Sequence, residues 1–117
     1  MEKVIRDGKV AVLYSPGYGA GWSTSNCDNV NDTDVLLFDP EIVSLVEKYK
    51  KGEITHSNMC DKIIYHCDNK YGENVVYYGG VCDLTIEWID VGKEFRITEY
   101  GEHESIEYKE CVRWIKA

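Results

Sequence analysis

The sequence has no apolar run approaching the ~20 residues that cross a bilayer, no cysteine pair spaced CxxC, and only two prolines and two phenylalanines. Without a long apolar run, no membrane-spanning helix is expected. Residues 1–6, Met-Glu-Lys-Val-Ile-Arg, lack the apolar core of an export signal. Cys27, Cys60, Cys67, Cys82 and Cys111 are an odd set, unlike a secreted disulfide framework, so reduced thiols and a cytoplasmic location are expected. Basic residues are also scarce, 13 against 21 acidic ones, giving a net charge of −8. That charge repels nucleic acid and anionic membrane at long range, and direct binding to either is not expected. Solubility alone accounts for such acidity. Salt screens distant charges beyond ~8 Å, so a local cluster of donors remains able to hold a small anion.

What is present fits one globular domain over residues 1–117, with 44% hydrophobic and 29% charged residues, close to ordinary folded proteins. The pattern predicts an α+β fold: a mostly antiparallel sheet of hairpins, with two helices inserted between the N-terminal and C-terminal strands. Asp7-Gly8 between two β-branched runs suits a two-residue hairpin turn. The strand after it, residues 9–14, is apolar almost throughout and reads as a central strand covered on both faces. Residues 23–34 are nearly all polar and read as an exposed loop. Asp39-Pro40-Glu41 supplies an N-cap, a proline at the first helical position and an acid in the first turn, and Gly52 closes that helix. Thr55 caps a second helix with Met59, Cys60, Ile63, Cys67 and Tyr71 along one side, ending near Gly72. Strands are expected at 75–78 and 84–89, hairpins around 91–93 and 101–104, and an edge strand at 111–115.

No motif of known catalytic chemistry stands out, so an enzyme is not expected. Gly17-Tyr18-Gly19-Ala20-Gly21 is neither a Walker loop nor a dinucleotide fingerprint. It reads either as a tight strand exit whose Tyr18 and Trp22 pack, or as a loop that contacts a ligand. His56, Cys60 and Cys67 share a helical face but lack the paired spacing of structural zinc ligands, and the acids at 28, 32 and 34 lack the glycine and terminal glutamate of a calcium loop. No metal or other cofactor is expected. Nine tyrosines and three tryptophans are the remaining clue, because amphipathic rings suit half-wet faces and can stack on a flat ligand. Packing of edge aromatics explains them equally well. The candidate ligand-binding set is Tyr18, Gly19, Gly21, Trp22, Tyr78, Arg96 and Arg113, in which rings stack, backbone N–H groups meet an anion, and arginines pair with phosphate through a planar fork.

Three blocks, residues 9–22 (KVAVLYSPGYGAGW), 38–47 (FDPEIVSLVE) and 78–100 (YGGVCDLTIEWIDVGKEFRITEY), resemble small phage-encoded proteins, and among them the first family of Thoeris anti-defence proteins. Those are oligomeric sponges that sequester cyclic ADP-ribose-type immune signals, some also holding cyclic oligonucleotides. The resemblance implies a homo-oligomer in the host cytoplasm that binds a nucleotide-derived ligand without turnover. An acidic inhibitor that mimics nucleic acid and blocks a host enzyme is the alternative that the net charge suggests. A small phage structural or assembly protein is a third.

Overall fold

A computed structural model describes residues 2–17, 21–26, 34–100, 103–109 and 116–117. The chain is α+β, with antiparallel sheets of three and two strands. Asp7 and Gly8 adopt positive φ of 51° and 75°, as a two-residue turn between right-twisted strands requires. They join β1 (Ile5–Arg6) to β2 (Lys9–Tyr14). β3 (Thr85–Asp90) pairs along the other edge of β2, from Lys9↔Asp90 to Tyr14↔Thr85, so β2 is the central strand.

The apolar run of β2 follows from burial on both faces. Ala11 and Leu13 join Ile42, Val43, Val46, Met59, Ile63 and Cys67 in one core cluster. Val10 and Val12 point the opposite way, to Leu37, Phe38 and Ile89. The first cluster is built by α2 (Pro40–Lys50) and α3 (His56–Tyr71), which pack on each other. Asp39 caps α2 by accepting from the Glu41 and Ile42 amides, and Thr55 caps α3 by accepting from the Asn58 amide. The second cluster is roofed by a separate hairpin, β4 (Phe95–Tyr100) and β5 (His103–Tyr108). Phe95, Ile97, Ile106 and Tyr108 pack down from it. The three-stranded sheet therefore lies between a helical layer and a two-stranded one.

Three local expectations change. Residues 75–78 form no strand: a turn at Val75 and a bend at Val76 lead into irregular backbone, and the Tyr77 amide donates to the Asn26 side chain instead. β3 and β4 are joined by the 91–93 turn yet do not pair; among the described residues β4 pairs with β5 alone. Within the polar stretch, Ser23 and Asn26 are buried, and a short helix, α1 (Asp34–Phe38), follows and buries Leu36, Leu37 and Phe38. The expected strand at 111–115 lies outside the described residues.

Candidate functional site

The strand period of two sends Phe95, Ile97, Ile106 and Tyr108 toward the core and leaves Arg96, Thr98, Ser105 and Glu107 on the outer face of the β4–β5 hairpin. Across that face Arg96 stands opposite Glu107 and donates to its carboxylate at 3.2 Å, and the Thr98 and Ser105 hydroxyls meet at 3.0 Å. At the open end Lys109 pairs with Glu94 at 2.8 Å. The hydrogen bond between them, and then their mutual charge, hold the Glu94 carboxyl below its ordinary value and the Lys109 amine above its own.

Two clefts meet along Phe95 and Arg96. One, of ≈ 620 Å³, is walled by Lys93, Glu94, Phe95, Arg96, Glu107, Tyr108 and Lys109. The other, of ≈ 510 Å³, runs between the hairpin and α1, with Lys3, Thr24, Asp34 and Phe38 on its far side. Lys93 lies 4.3 Å from the centre of the Tyr108 ring and Lys3 4.5 Å from that of Phe38. Four cations, three acids and three aromatic rings thus line the two clefts of a chain whose net charge is −8. Burial, followed by the charge of Glu87, raises the Tyr108 phenol above its usual pKa, so this ring stays neutral.

The hairpin is fixed to the glycine-rich segment by Glu104, which is 2% exposed. Its carboxylate accepts from the Ser15 amide at 2.8 Å, the Thr24 amide at 3.2 Å and the Thr24 hydroxyl at 2.7 Å. The Glu104 amide donates back to the Ser15 carbonyl at 3.0 Å. Gly21 lies against this knot. A methyl group there would meet the Thr24 hydroxyl at 2.1 Å and the Glu104 carboxylate at 2.7 Å, neither free to move. Gly17 is likewise pressed on a carboxylate, that of Asp83, at 2.5 Å from where its Cβ would stand. Both glycines permit close approach, but to the chain's own acids.

The candidate residues from the sequence therefore scatter. Arg96 lines both clefts. Tyr18, Gly19 and Arg113 lie outside the described residues. Gly21 and Trp22 are both buried, and Trp22 is a fully enclosed core residue whose indole N–H donates to the Leu36 carbonyl at 2.8 Å. Tyr78 lines neither cleft. It leans on the helical core, and its hydroxyl donates to Asp68 at 2.7 Å. Burial, then that bond, raises its pKa. The sequence reading missed Lys3, Lys93, Phe95, Tyr108 and Lys109. For the hairpin residues the signal was the alternation of β4 and β5, which turns Phe95 and Tyr108 to one face and Arg96 to the other, where the strand register sets it opposite Glu107.

The thiols of the helical layer are not activated nucleophiles. Burial first, and for Cys60 then the neighbouring Cys82 thiol, pushes both Cys60 and Cys67 up to about 12, far above the range of catalytic cysteines. Comparison with known proteins returned nothing: no family model, no curated protein and no solved structure matches this chain.

Proposed function

We propose that the chain sequesters a nucleotide-derived immune signal, of the cyclic ADP-ribose or cyclic oligonucleotide kind, as a phage anti-defence protein that acts in the host cytoplasm as a homo-oligomer and returns its ligand unchanged. The observation that carries this reading is the grouping of Lys3, Lys93, Arg96 and Lys109 with Phe38, Phe95 and Tyr108 around two adjoining clefts of an otherwise acidic chain. Phosphates suit the cations, and the Arg96 fork above all; a base suits the rings. Glu107 and Glu94 now partner Arg96 and Lys109, and exposed ion pairs of this type are worth only ~0–1 kcal/mol. A phosphate replaces them at small cost. The lack of activation at Cys60 and Cys67 agrees with holding rather than turnover.

The test is retention. Purified protein is mixed with cyclic ADP-ribose isomers and cyclic dinucleotides, freed of unbound ligand, heated, and the supernatant analysed by chromatography and mass spectrometry. Intact ligand is expected, and Arg96→Ala is expected to weaken binding about 10- to 100-fold, the worth of one charge-assisted hydrogen bond. Failure to retain any of these anions overturns the reading. The net charge of −8 favours a second one, an acidic inhibitor occupying a basic groove of a host enzyme. Salt-sensitive capture of a nucleic-acid-binding protein, with no small ligand retained, identifies that case.

A further inference from the structure

Among residues that line neither cleft, α3 meets the short 3-10 turn Val81–Asp83. His56 and Cys60, four residues apart, share one face of α3, and Cys82 is brought to them across 22 residues of sequence. The Cys60 and Cys82 sulfurs are 3.4 Å apart, and His56 Nε2 is 4.0 Å from the Cys60 sulfur. One ligand atom from each residue lies within 4.8 Å of the others. We propose that His56, Cys60 and Cys82 form a binding site for a thiophilic divalent cation, zinc by preference.

Three features support it. Two thiols and one imidazole are the donor set that favours zinc over hard cations. With metal–sulfur bonds of about 2.3 Å, metal–nitrogen bonds of about 2.05 Å and tetrahedral angles, bound sulfurs stand ~3.8 Å apart and sulfur and nitrogen ~3.6 Å. The observed 3.4 and 4.0 Å lie within a few tenths of an ångström of both, a shift that rotation about one side-chain bond supplies. The imidazole is also held in place: Nε2 donates to the Cys82 carbonyl at 2.8 Å, and the ring leans on Tyr49 at 5.3 Å between centres. Coordination through Nδ1 keeps that carbonyl bond, the outer contact that orients a ligating histidine; coordination through Nε2 exchanges it for the cation.

The set supplies three ligands, and His56 and Cys82 also line a hollow of ≈ 340 Å³ shared with Gly17, Asp83 and Thr85. The fourth position therefore opens to water. Cys67, which shares the helical spacing, is fully buried among Met59, Ile63 and Leu13 and takes no part. The site is independent of the clefts around Arg96.

Cobalt(II) is the probe, added to the full-length chain kept reduced by a phosphine. One equivalent is expected to produce thiolate-to-cobalt charge-transfer absorption and tetrahedral d–d bands, both erased by one equivalent of zinc. Cys60→Ser and Cys82→Ser are each expected to weaken binding more than about tenfold, at least the cost of losing an outer-shell partner. His56→Ala weakens it too, and Cys67→Ala leaves it intact. Circular dichroism confirms that each variant is folded, and zinc is expected to raise the melting temperature of the wild type but not of Cys82→Ser. Absence of charge-transfer bands, bands that survive in the Cys60→Ser, Cys82→Ser double variant, or a Cys60–Cys82 disulfide as the pair's only chemistry would each overturn the proposal.

Discussion

Asp39 shows how much one side chain can organise. It is 2% exposed and accepts from the Glu41 and Ile42 amides at the head of α2, and from three side chains of α3: Tyr71 at 2.6 Å, His66 at 2.9 Å and Lys70 at 3.2 Å. Burial, the largest single influence, pushes its carboxyl up. The hydrogen bonds from Tyr71 and His66 and the charges of His66 and Lys70 outweigh burial, so its pKa lies below the ordinary value. A folded pKa lower than the unfolded one, ~3.9, means that the stabilisation is complete above that pH and is lost as pH falls through the folded value. Asp39→Asn is expected to be less stable than the wild type near neutrality by about 1–3 kcal/mol, the cost of mismatched buried donors. That gap is expected to close as urea unfolding is repeated from pH 5 downward to pH 2. A gap independent of pH would mean that the carboxylate charge does not lock the two helices.

At the scale of elements, what was legible in the sequence was local chemistry. The Asp7-Gly8 turn, the Asp39 and Thr55 caps, and the alternation within β4 are each decided by residues within a few positions of one another, and each stands where its signal placed it. The failures were decided at long range. Residues 75–78 carry strand-forming side chains but pair with no strand among the described residues. The buried side chain of Asn26 takes the partner's role instead, accepting from the Tyr77 amide at 2.7 Å and donating to the Tyr77 and Trp22 carbonyls at 3.1 and 2.8 Å. Polarity alone marked Asn26 as a loop residue, while its burial depends on a segment 51 positions away. Cys82 reached His56 across 26 positions in the same long-range way. Asn26→Ala leaves the Tyr77 amide and the Trp22 carbonyl without this partner, at about 1–3 kcal/mol for each buried group. The expected result is a lower denaturation midpoint together with faster hydrogen exchange at the Tyr77 amide than at Leu13 in the core of β2. Equal exchange at the two amides, with unchanged stability, would show that the 75–78 segment is held by its own turns.

For the whole molecule, the question is how a chain of net charge −8 retains an anion, and magnitudes decide it. A phosphate about 4 Å from a surface cation gains ~4 kcal/mol at an effective dielectric constant of 20, whereas one excess negative charge ~20 Å away in water opposes it by only ~0.2 kcal/mol, before screening. Lys93, Arg96 and Lys109 at the mouth of one cleft face two acids of the same wall, Glu94 and Glu107, and the one positive charge left over, acting at contact distance, outweighs the distant acids while the cations are present. Added salt removes a smaller fraction of the contacts than of the background, since the Debye length falls from ~30 Å at 0.01 M to ~8 Å at 0.15 M, but the contacts are the larger energies and lose more in absolute terms. In the wild type the local attraction sets the sign, and binding of a cyclic dinucleotide is expected to weaken as salt rises. With all three cations replaced by alanine, the ring contacts of Phe95 and Tyr108 remain, but Glu94 and Glu107, left on the cleft wall, repel an anion as the background does. The residual binding is then expected to strengthen between 0.01 and 0.15 M salt, read by isothermal titration calorimetry on both proteins. A salt dependence of the same sign and slope in the wild type and the triple variant would place the anion elsewhere on the chain.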